Sequence, residues 1–238
     1  MKLTSFAYSS CGGRDKNEDA IRSLQRDGHS VFVLADGLGG HQYGEVASRI
    51  AADTVLEAFP QPTQEALHAA AERANYAILE AQKQSGQQNM KTTLVCLSIE
   101  AAKAAWLHIG DSRLYHFSGG AVQTVTHDHS VSFKKYLGRE ISYLDLNHDS
   151  DRSSLLRVLG SKSFQPEVHE VKLLPGDALL LCSDGFWEYV YDQEMVIDWI
   201  KSETPRQWVT YMLLRLMERI PPHNDNCSVI AVFAGEEP

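Results

Sequence analysis

The 238-residue sequence predicts an α+β fold in which sheets and helices form layers. Two observations lead to this prediction: short strand-like runs occur in clusters, and pairs of helical segments separate the clusters. A parallel β-α-β array would alternate single strands with single helices, and the sequence does not have that pattern.

Seven short runs have the apolar and β-branched character of strands. No apolar run approaches the roughly 18 residues that cross a membrane, and the N-terminus lacks the regions of a signal peptide. We therefore expect a cytoplasmic protein that does not enter the membrane. The runs are Ser30–Ala35, Thr92–Ile99, Ala104–Ile109, Leu114–Phe117, Val168–Leu173, Ala178–Cys182 and Ser228–Phe233.

Apolar residues at helical spacing indicate two helix pairs. The first pair runs from Val46 to Phe59 and from Ala66 to Ala81. The second runs from Asp192 to Lys201 and from Pro205 to Ile220, where Pro205 suits a first helical turn. Each pair is predicted to form a helical hairpin.

The segment from Asp128 to Ser163 is polar, rich in His, Ser and Asp, and only weakly periodic. A segment of this length without clear elements is uncommon in a compact domain, and such segments often cover active sites. We predict a mobile flap over the surface of a single domain that spans residues 1–238.

Charge and cysteine content exclude several classes of protein. The formal charge of −9 opposes binding to nucleic acid or an anionic membrane, because both need clustered Lys and Arg. The four cysteines form no C-x-x-C pair, so they indicate neither a zinc knuckle nor a disulfide framework. We expect reduced, mostly buried thiols at Cys11, Cys96, Cys182 and Cys227.

Acidic residues stand where predicted strands end. Asp36 and Asp184 each close an apolar run and precede a glycine, and Asp111 follows Gly110. Asp225 precedes the last apolar run, and Glu18–Asp19 lies in an early polar loop. Carboxylate oxygens of this kind suit Mg²⁺ or Mn²⁺ better than zinc.

A single Asp-Gly pair is more often an ordinary turn than a metal ligand. Here, however, the pairs accompany the segments Gly110–Arg113 and Asp36–His41, whose glycines permit a close backbone approach that a plain turn does not need. Together these segments favour a metal cluster.

Eight short segments, in this order, resemble the metal-dependent protein phosphatases of type 2C, in their bacterial form. Each segment is weak evidence alone, but eight in register over nearly the whole chain are specific. They are Arg14–Ala20, Asp36–His41, Thr92–Thr93, Gly110–Arg113, Asp128–Ser130, Arg157–Gly160, Ser183–Gly185 and Asp225–Ser228.

The resemblance implies a central sandwich of two antiparallel β-sheets flanked by pairs of antiparallel helices, with a binuclear Mn²⁺ or Mg²⁺ centre at one end. By position in the family, one residue bridges both ions and the other ligands divide between them. A third, weaker ion would lie between two of the aspartates. The resemblance implies that Asp36 bridges both ions, that Asp184 and Asp225 complete one site, and that Glu18 and the Gly37 carbonyl complete the other. Asp111 and Asp184 would form the third site, and Asp19 would hold waters bound to the ions.

The implied reaction is hydrolysis of phosphoserine or phosphothreonine in proteins by a metal-activated water. Two ions lower the pKa of water and supply positive charge to the phosphoryl group. Arg14 matches the phosphate-binding arginine, whose planar fork meets two oxygens at once. The implied partners are a phosphorylated protein substrate and an opposing bacterial serine/threonine kinase, and we expect a monomer.

The proton donor departs from the pattern of animal relatives. Their histidine directly after the first Asp-Gly is replaced here by Leu38. His41, three residues further on, is interpreted as a supporting residue beside the metal ligands, with a catalytic acid role as the alternative.

Two other functions are weighed. A phosphatase-shaped binding domain without turnover would have lost metal carboxylates, and none of the implied ones is missing from the sequence. A metal-dependent hydrolase of small phosphoesters or nucleotides would use the same chemistry, because fold does not fix substrate. A P-loop enzyme is excluded, since no Gly-Lys-Ser/Thr follows the glycines after Asp36.

Overall fold

The computed structural model describes residues 1–38, 43–84 and 89–236. Within these ranges, ten strands form two five-stranded antiparallel sheets. The first sheet has the strand order β1-β10-β9-β6-β7 and the second has the order β2-β3-β4-β5-β8. The strands are β1 Lys2–Ser10, β2 Asp19–Arg26, β3 His29–Asp36, β4 Leu94–Glu100, β5 Lys103–Ile109, β6 Arg113–Ser118, β7 Ala121–Val125, β8 Glu167–Lys172, β9 Ala178–Cys182 and β10 Cys227–Gly235.

Helices cover the outer faces of the two sheets. Helices α1 and α2 pack on the second sheet, and α4, α5 and α6 pack on the first. Thr63 and Thr204 cap α2 and α6 through their side-chain oxygens, and Pro205 occupies the first turn of α6. The helices are α1 Gly44–Ala58, α2 Gln64–Ala81, α3 Val131–Leu137, α4 Asp184–Trp187, α5 Asp192–Ile200 and α6 Pro205–Arg219.

Three apolar layers hold these elements together. The middle layer lies between the sheets and includes Phe32, Leu97 and Leu181. The outer layers join each sheet to its helices. The result is the predicted α-β-β-α sandwich, and both predicted helix pairs are present within a few residues of their predicted bounds.

Three strands were absent from the prediction: β1, β2 and β7. All three lie at sheet edges, where one side of the strand has no neighbour. Most of their residues are exposed or only partly buried, so these strands do not form a continuous apolar run. The predicted position of Asp19 in a loop is therefore wrong, because it is the first residue of β2.

The flap contains more regular structure than its sequence predicts. It includes α3 and a 3₁₀ turn, Tyr143–Asn147. Hydrogen bonds join it to the first sheet's helices: Tyr143 donates to Asp192, and the Asn147 amide donates to the Trp187 carbonyl. Arg152 forms an ion pair with Glu188. Because these contacts are polar, the sequence of the flap has only weak apolar periodicity.

Two smaller predictions can be compared with the structure. Cys11 is exposed and the other three cysteines are buried, and all four are free thiols, as expected. Among the described residues, none of the helices has the length and apolar character needed to span a bilayer.

Candidate metal centre

Five of the six acidic residues that the sequence points to line one cleft of about 550 Å³. The topology explains why they meet. Strands β3, β5 and β9 end, and β2, β6 and β10 begin, at the same end of the sandwich. Glu18, Asp36, Asp111, Asp184 and Asp225 all line this cleft.

Asp36 is the last residue of β3, and its backbone is fixed on both sides. Its amide donates to the Thr93 hydroxyl over 3.0 Å, and its carbonyl accepts from the Thr93 amide over 2.8 Å. Gly37 follows at a position where a Cβ atom would lie 2.3 Å from the Gly44 carbonyl oxygen. Only glycine fits there, so the chain after Asp36 can pass directly against α1.

Asn226 holds the loop that carries Glu18. Its side-chain oxygen accepts from the Glu18 amide over 2.7 Å, and its side-chain nitrogen donates to the carbonyls of Cys11 and Lys16. The Gly37 amide donates to the Glu18 carbonyl over 3.1 Å. Glu18 and Gly37 are therefore neighbours, as the metal assignment requires.

Asp111 lies in the tight turn between β5 and β6. Its side chain is buried, and its backbone carbonyl accepts the indole N–H of Trp187 over 2.9 Å. Arg113 lies with its guanidinium carbon 3.5 Å from the Trp187 ring centroid and pairs in bidentate fashion with Asp128. Arg113 therefore supports this turn and is not among the residues that line the cleft.

Asp184 and Asp225 lie just beyond the ends of two neighbouring strands of the first sheet, β9 and β10. Asp184 is predicted to end a strand in a turn, but it instead opens the short helix α4, two residues after β9. A Cβ atom on Gly185 would lie 2.1 Å from the Asn226 carbonyl oxygen, so glycine is needed for this close approach. This contact brings Asp184 beside Asp225.

Burial and mutual repulsion both act on the acidic residues. Burial, followed by the charges of Asp19, Asp184 and other carboxylates, raises the pKa of Asp36 well above its ordinary value. Burial and the charges of neighbouring acids raise the pKa of Asp184 to about 7 and that of Asp111 to well above its usual range. Such a set of oxygen donors fits hard divalent cations, which would offset the repulsion.

Asp19 on β2 is the cross-strand partner of Asp36 on β3. One of its carboxylate oxygens accepts from the Ser183 hydroxyl over 2.9 Å. The other is buried and has no hydrogen-bond partner in the described part of the chain. Burial raises the pKa of Asp19 to about 6.

Arg14 lies at the rim of the cleft and is the predicted phosphate ligand. Its guanidinium is 2.8 Å from Asp225, with 56% and 48% of the two side chains exposed. Exposed pairs of this kind contribute roughly 0–1 kcal/mol, so Asp225 does not prevent Arg14 from binding an anion.

Several residues at the site were missed or given no role in the sequence analysis. Thr93, Ser183 and Asn226 hold the ligand-bearing segments, and their signal was only their place within the eight motifs. Ser153 and Leu155 of the flap also line the cleft. His41 lies outside the described residues.

Comparison with known proteins agrees with this geometry. The family model "Protein phosphatase 2C" matches residues 11–218. Protein phosphatase PhpP of Streptococcus pneumoniae is 30% identical over 233 residues, which cover 94% of each chain.

Solved structures show the same fold. The serine/threonine phosphatase Stp1 of Staphylococcus aureus has a TM-score of 0.87 at 28% identity and covers 100% of this chain and 96% of its own. The catalytic domain of the serine/threonine protein phosphatase PstP, in complex with two manganese ions, has a TM-score of 0.84 at 26% identity, with 98% and 99% of the chains covered. The sequence, fold and cleft thus agree, and the chain belongs to the protein phosphatase 2C family.

Proposed function

We propose that the acidic cleft hydrolyses phosphoserine and phosphothreonine in proteins, with Mn²⁺ or Mg²⁺ as cofactor. The observation that carries the proposal is the convergence of five carboxylates from five separate segments on one cleft, with an arginine at its rim. A family member without turnover would not need to retain this set, because clustering buried carboxylates is costly without a cation.

The ligand assignment follows the position of each oxygen donor. Asp36 is central, since the charges of Asp19, Asp184, Asp111 and Asp225 all act on it, and we assign it as the bridge between two ions. Asp184 and Asp225 complete one site.

Glu18 and the Gly37 carbonyl complete the other site. A third, weaker site, which the family resemblance implies, would use Asp111 together with Asp184, and both residues line the cleft.

Bound divalent ions would supply a hydroxide nucleophile at neutral pH and positive charge for the phosphoryl oxygens. The protein's own groups orient the reactants. Arg14 can present two parallel N–H donors to the phosphoryl group from the rim. Asp19 would offer its unpartnered oxygen to a water at the metal centre, while Ser183 keeps the other oxygen in place.

Protonation of the leaving alkoxide is not assigned to a described residue. Leu38 lines the cleft at the position of the histidine in animal relatives and has no titratable group. His41 is interpreted as a supporting residue, and the acid role is its alternative. Phenyl phosphate needs little acid assistance and phosphothreonine needs much. If His41 is the acid, His41→Ala should therefore slow only the hydrolysis of phosphothreonine. If the variant hydrolyses both substrates at the same rate relative to wild type, His41 does not have that role.

The activity is tested with a phosphothreonine peptide in Mn²⁺, in EDTA, and in competition with free nucleotides. We expect peptide hydrolysis that stops in EDTA and is absent in Asp36→Asn and Asp184→Asn. Preferred turnover of nucleotides would favour the small-phosphoester alternative. Peptide binding without turnover would favour a binding domain.

The substrate protein requires a cellular experiment. We propose that the enzyme opposes a serine/threonine kinase and acts as a monomer. Phosphoproteomics of cells with and without the gene should show phosphoserine and phosphothreonine sites that accumulate when the gene is absent. Light scattering of the purified chain gives its mass in solution.

A further inference from the structure

A cluster of three polar side chains, two of them buried and one partly exposed, lies next to the turn that carries Asp111. It comprises His108 on β5, His129 at the start of the flap, and Glu167, the first residue of β8. One nitrogen or oxygen atom of each lies within 4.8 Å of the others, and the two imidazole rings stack with centroids 4.7 Å apart. The sequence analysis gave these residues no role in the chemistry.

His129 holds Gly110 by two hydrogen bonds that run in opposite directions. The Gly110 amide donates to His129 Nδ1 over 3.1 Å, and the His129 amide donates to the Gly110 carbonyl over 2.9 Å. Gly110 has a φ of +108°, and a Cβ atom there would lie 2.6 Å from Thr93 Cγ2. Residue 110 must therefore be glycine, and the turn depends on other residues to fix it.

The other ring nitrogen of His129 faces an ion pair. Nε2 lies 3.2 Å from Glu167 Oε1, and the Arg157 guanidinium lies 3.1 Å from the same oxygen. Because the Gly110 amide occupies Nδ1, a neutral His129 has its proton on Nε2 and donates it to Glu167. Burial lowers the pKa of His129, which favours this neutral form.

A metal site is the competing interpretation of the same three residues. An ion on His129 Nε2 would need a lone pair there, which would put the proton on Nδ1, against the N–H of Gly110. The Arg157 guanidinium is also only 3.2 Å from Nε2 and already supplies a positive charge. The hydrogen bonds of His129 therefore favour a structural connection over an ion at its ring, although His108 Nδ1 is buried without a hydrogen-bond partner among the described residues.

His129 also connects the turn to the flap. Its carbonyl accepts from the Leu156 amide over 2.7 Å, next to Arg157. His129 thus contacts Gly110, just before Asp111, through its ring and its main-chain amide. Through its carbonyl it contacts Leu156 near the C-terminal end of the flap.

We propose that His129 is a positioning residue, which, with its tautomer set by Glu167, holds the Gly110–Asp111 turn so that the Asp111 carboxylate faces the cleft. The effect on metal binding and turnover rests on the proposed function. The tautomer and the Gly110 contact do not, so the two ideas can fail separately.

The first test is a comparison of His129→Leu with His129→Asn. Asn can place an oxygen near the position of Nδ1 and keep the Gly110 contact, whereas Leu removes it. His129→Leu should weaken the Mn²⁺ affinity measured by calorimetry, and lower kcat, about 10-fold or more, with little change in KM for a phosphopeptide. His129→Asn should recover most of the loss.

A double-mutant cycle separates positioning from a general loss of structure. If His129 acts through Asp111, then His129→Leu should cause little further loss of Mn²⁺ affinity and kcat in an Asp111→Asn background. Losses that multiply in the double variant would overturn the proposal, as would equal losses in the Leu and Asn variants.

A measurement on the wild-type chain in EDTA needs no activity and no variant. Long-range ¹H–¹⁵N spectra should show neutral His129 with its proton on Nε2. A proton on Nδ1 would overturn the proposal. So would a stoichiometric change in the ring ¹⁵N signals of both His108 and His129 when Zn²⁺ or Mn²⁺ is added to Asp36→Asn, since that result would identify the cluster as a metal site.

Discussion

Thr93 and Asp36 hold each other by reciprocal hydrogen bonds across the β3–β4 boundary. The Asp36 amide donates to the Thr93 hydroxyl, and the Thr93 amide donates to the Asp36 carbonyl. The same hydroxyl lies 2.7 Å from the Ser112 hydroxyl, beside Asp111. Thr93 thus connects the segments that carry two of the proposed metal ligands.

The first prediction concerns this hydroxyl. Thr93→Val keeps the shape of the side chain but leaves the Asp36 amide without its acceptor, which should cost about 1–3 kcal/mol of unfolding free energy. Thr93→Ser retains the hydroxyl and is the matched control. Urea unfolding in EDTA measures both variants, and a Val variant as stable as the Ser variant would contradict the assignment.

The second prediction concerns the pH dependence of stability without metal. In the folded chain the pKa of Asp184 is about 7 and that of Asp19 about 6, both above the ordinary value of 3.8. A carboxyl with a raised folded pKa binds a proton that the unfolded chain has released, so its stabilising contribution is complete at low pH and is lost as pH rises.

The free energy of unfolding in EDTA should therefore contain a component that falls between about pH 4 and pH 7. Asp184→Asn should reduce this slope and stabilise the metal-free chain at pH 8, although it removes activity. Asp27→Asn, the same substitution at an exposed position away from the cleft, is the matched control. An identical slope in wild type and Asp184→Asn would show that Asp184 does not titrate in this way.

The burial of a strand decides whether the sequence alone predicts it. Buried central strands such as β4 and β9 form apolar runs and were predicted. The edge strand β2 was missed because burial on one face leaves only a broken apolar pattern.

At the site, Asp36 and Asp225 could be selected as candidates, since carboxylates beside glycine or at strand margins are visible in the sequence. The hydroxyl and amide groups that hold them, such as Asn226, could not, because their partners are distant in the chain and a polar residue in a loop has no periodicity.

The third prediction separates phosphate binding from metal binding. Arg14 is exposed and only weakly coupled to Asp225, so Arg14→Ala should leave the Mn²⁺ concentration for half-maximal activity nearly unchanged. It should lower kcat/KM for a phosphopeptide roughly 10- to 100-fold, because charge-assisted hydrogen bonds contribute about 1.5–3 kcal/mol.

Arg14→Lys is the informative comparison, since it keeps the charge and loses the planar fork. We expect it to recover only part of kcat/KM. Steady-state kinetics at saturating Mn²⁺ provide the measurement. If Arg14→Ala changed the Mn²⁺ requirement and left kcat/KM intact at saturation, Arg14 would be acting on the ligands and not on the phosphoryl group.

The fourth prediction concerns the buried ion pair of Arg113 and Asp128, whose side chains are only 4% and 3% exposed. Asp128→Asn leaves the Arg113 charge buried without its counter-charge, which should cost about 3–5 kcal/mol. The exposed Lys83–Glu80 pair offers a control, because solvent screens it and Glu80→Gln should leave the free energy of unfolding nearly unchanged.

Urea unfolding compares the two variants. The effect of Asp128→Asn should also reach the cleft, since Arg113 lies against Trp187 and the Trp187 indole donates to the Asp111 carbonyl. We therefore expect weaker Mn²⁺ binding in Asp128→Asn but not in Glu80→Gln. Equal stability of the two variants would mean that the buried pair contributes no more than a surface pair, and the turn at Asp111 would then depend chiefly on Thr93 and His129.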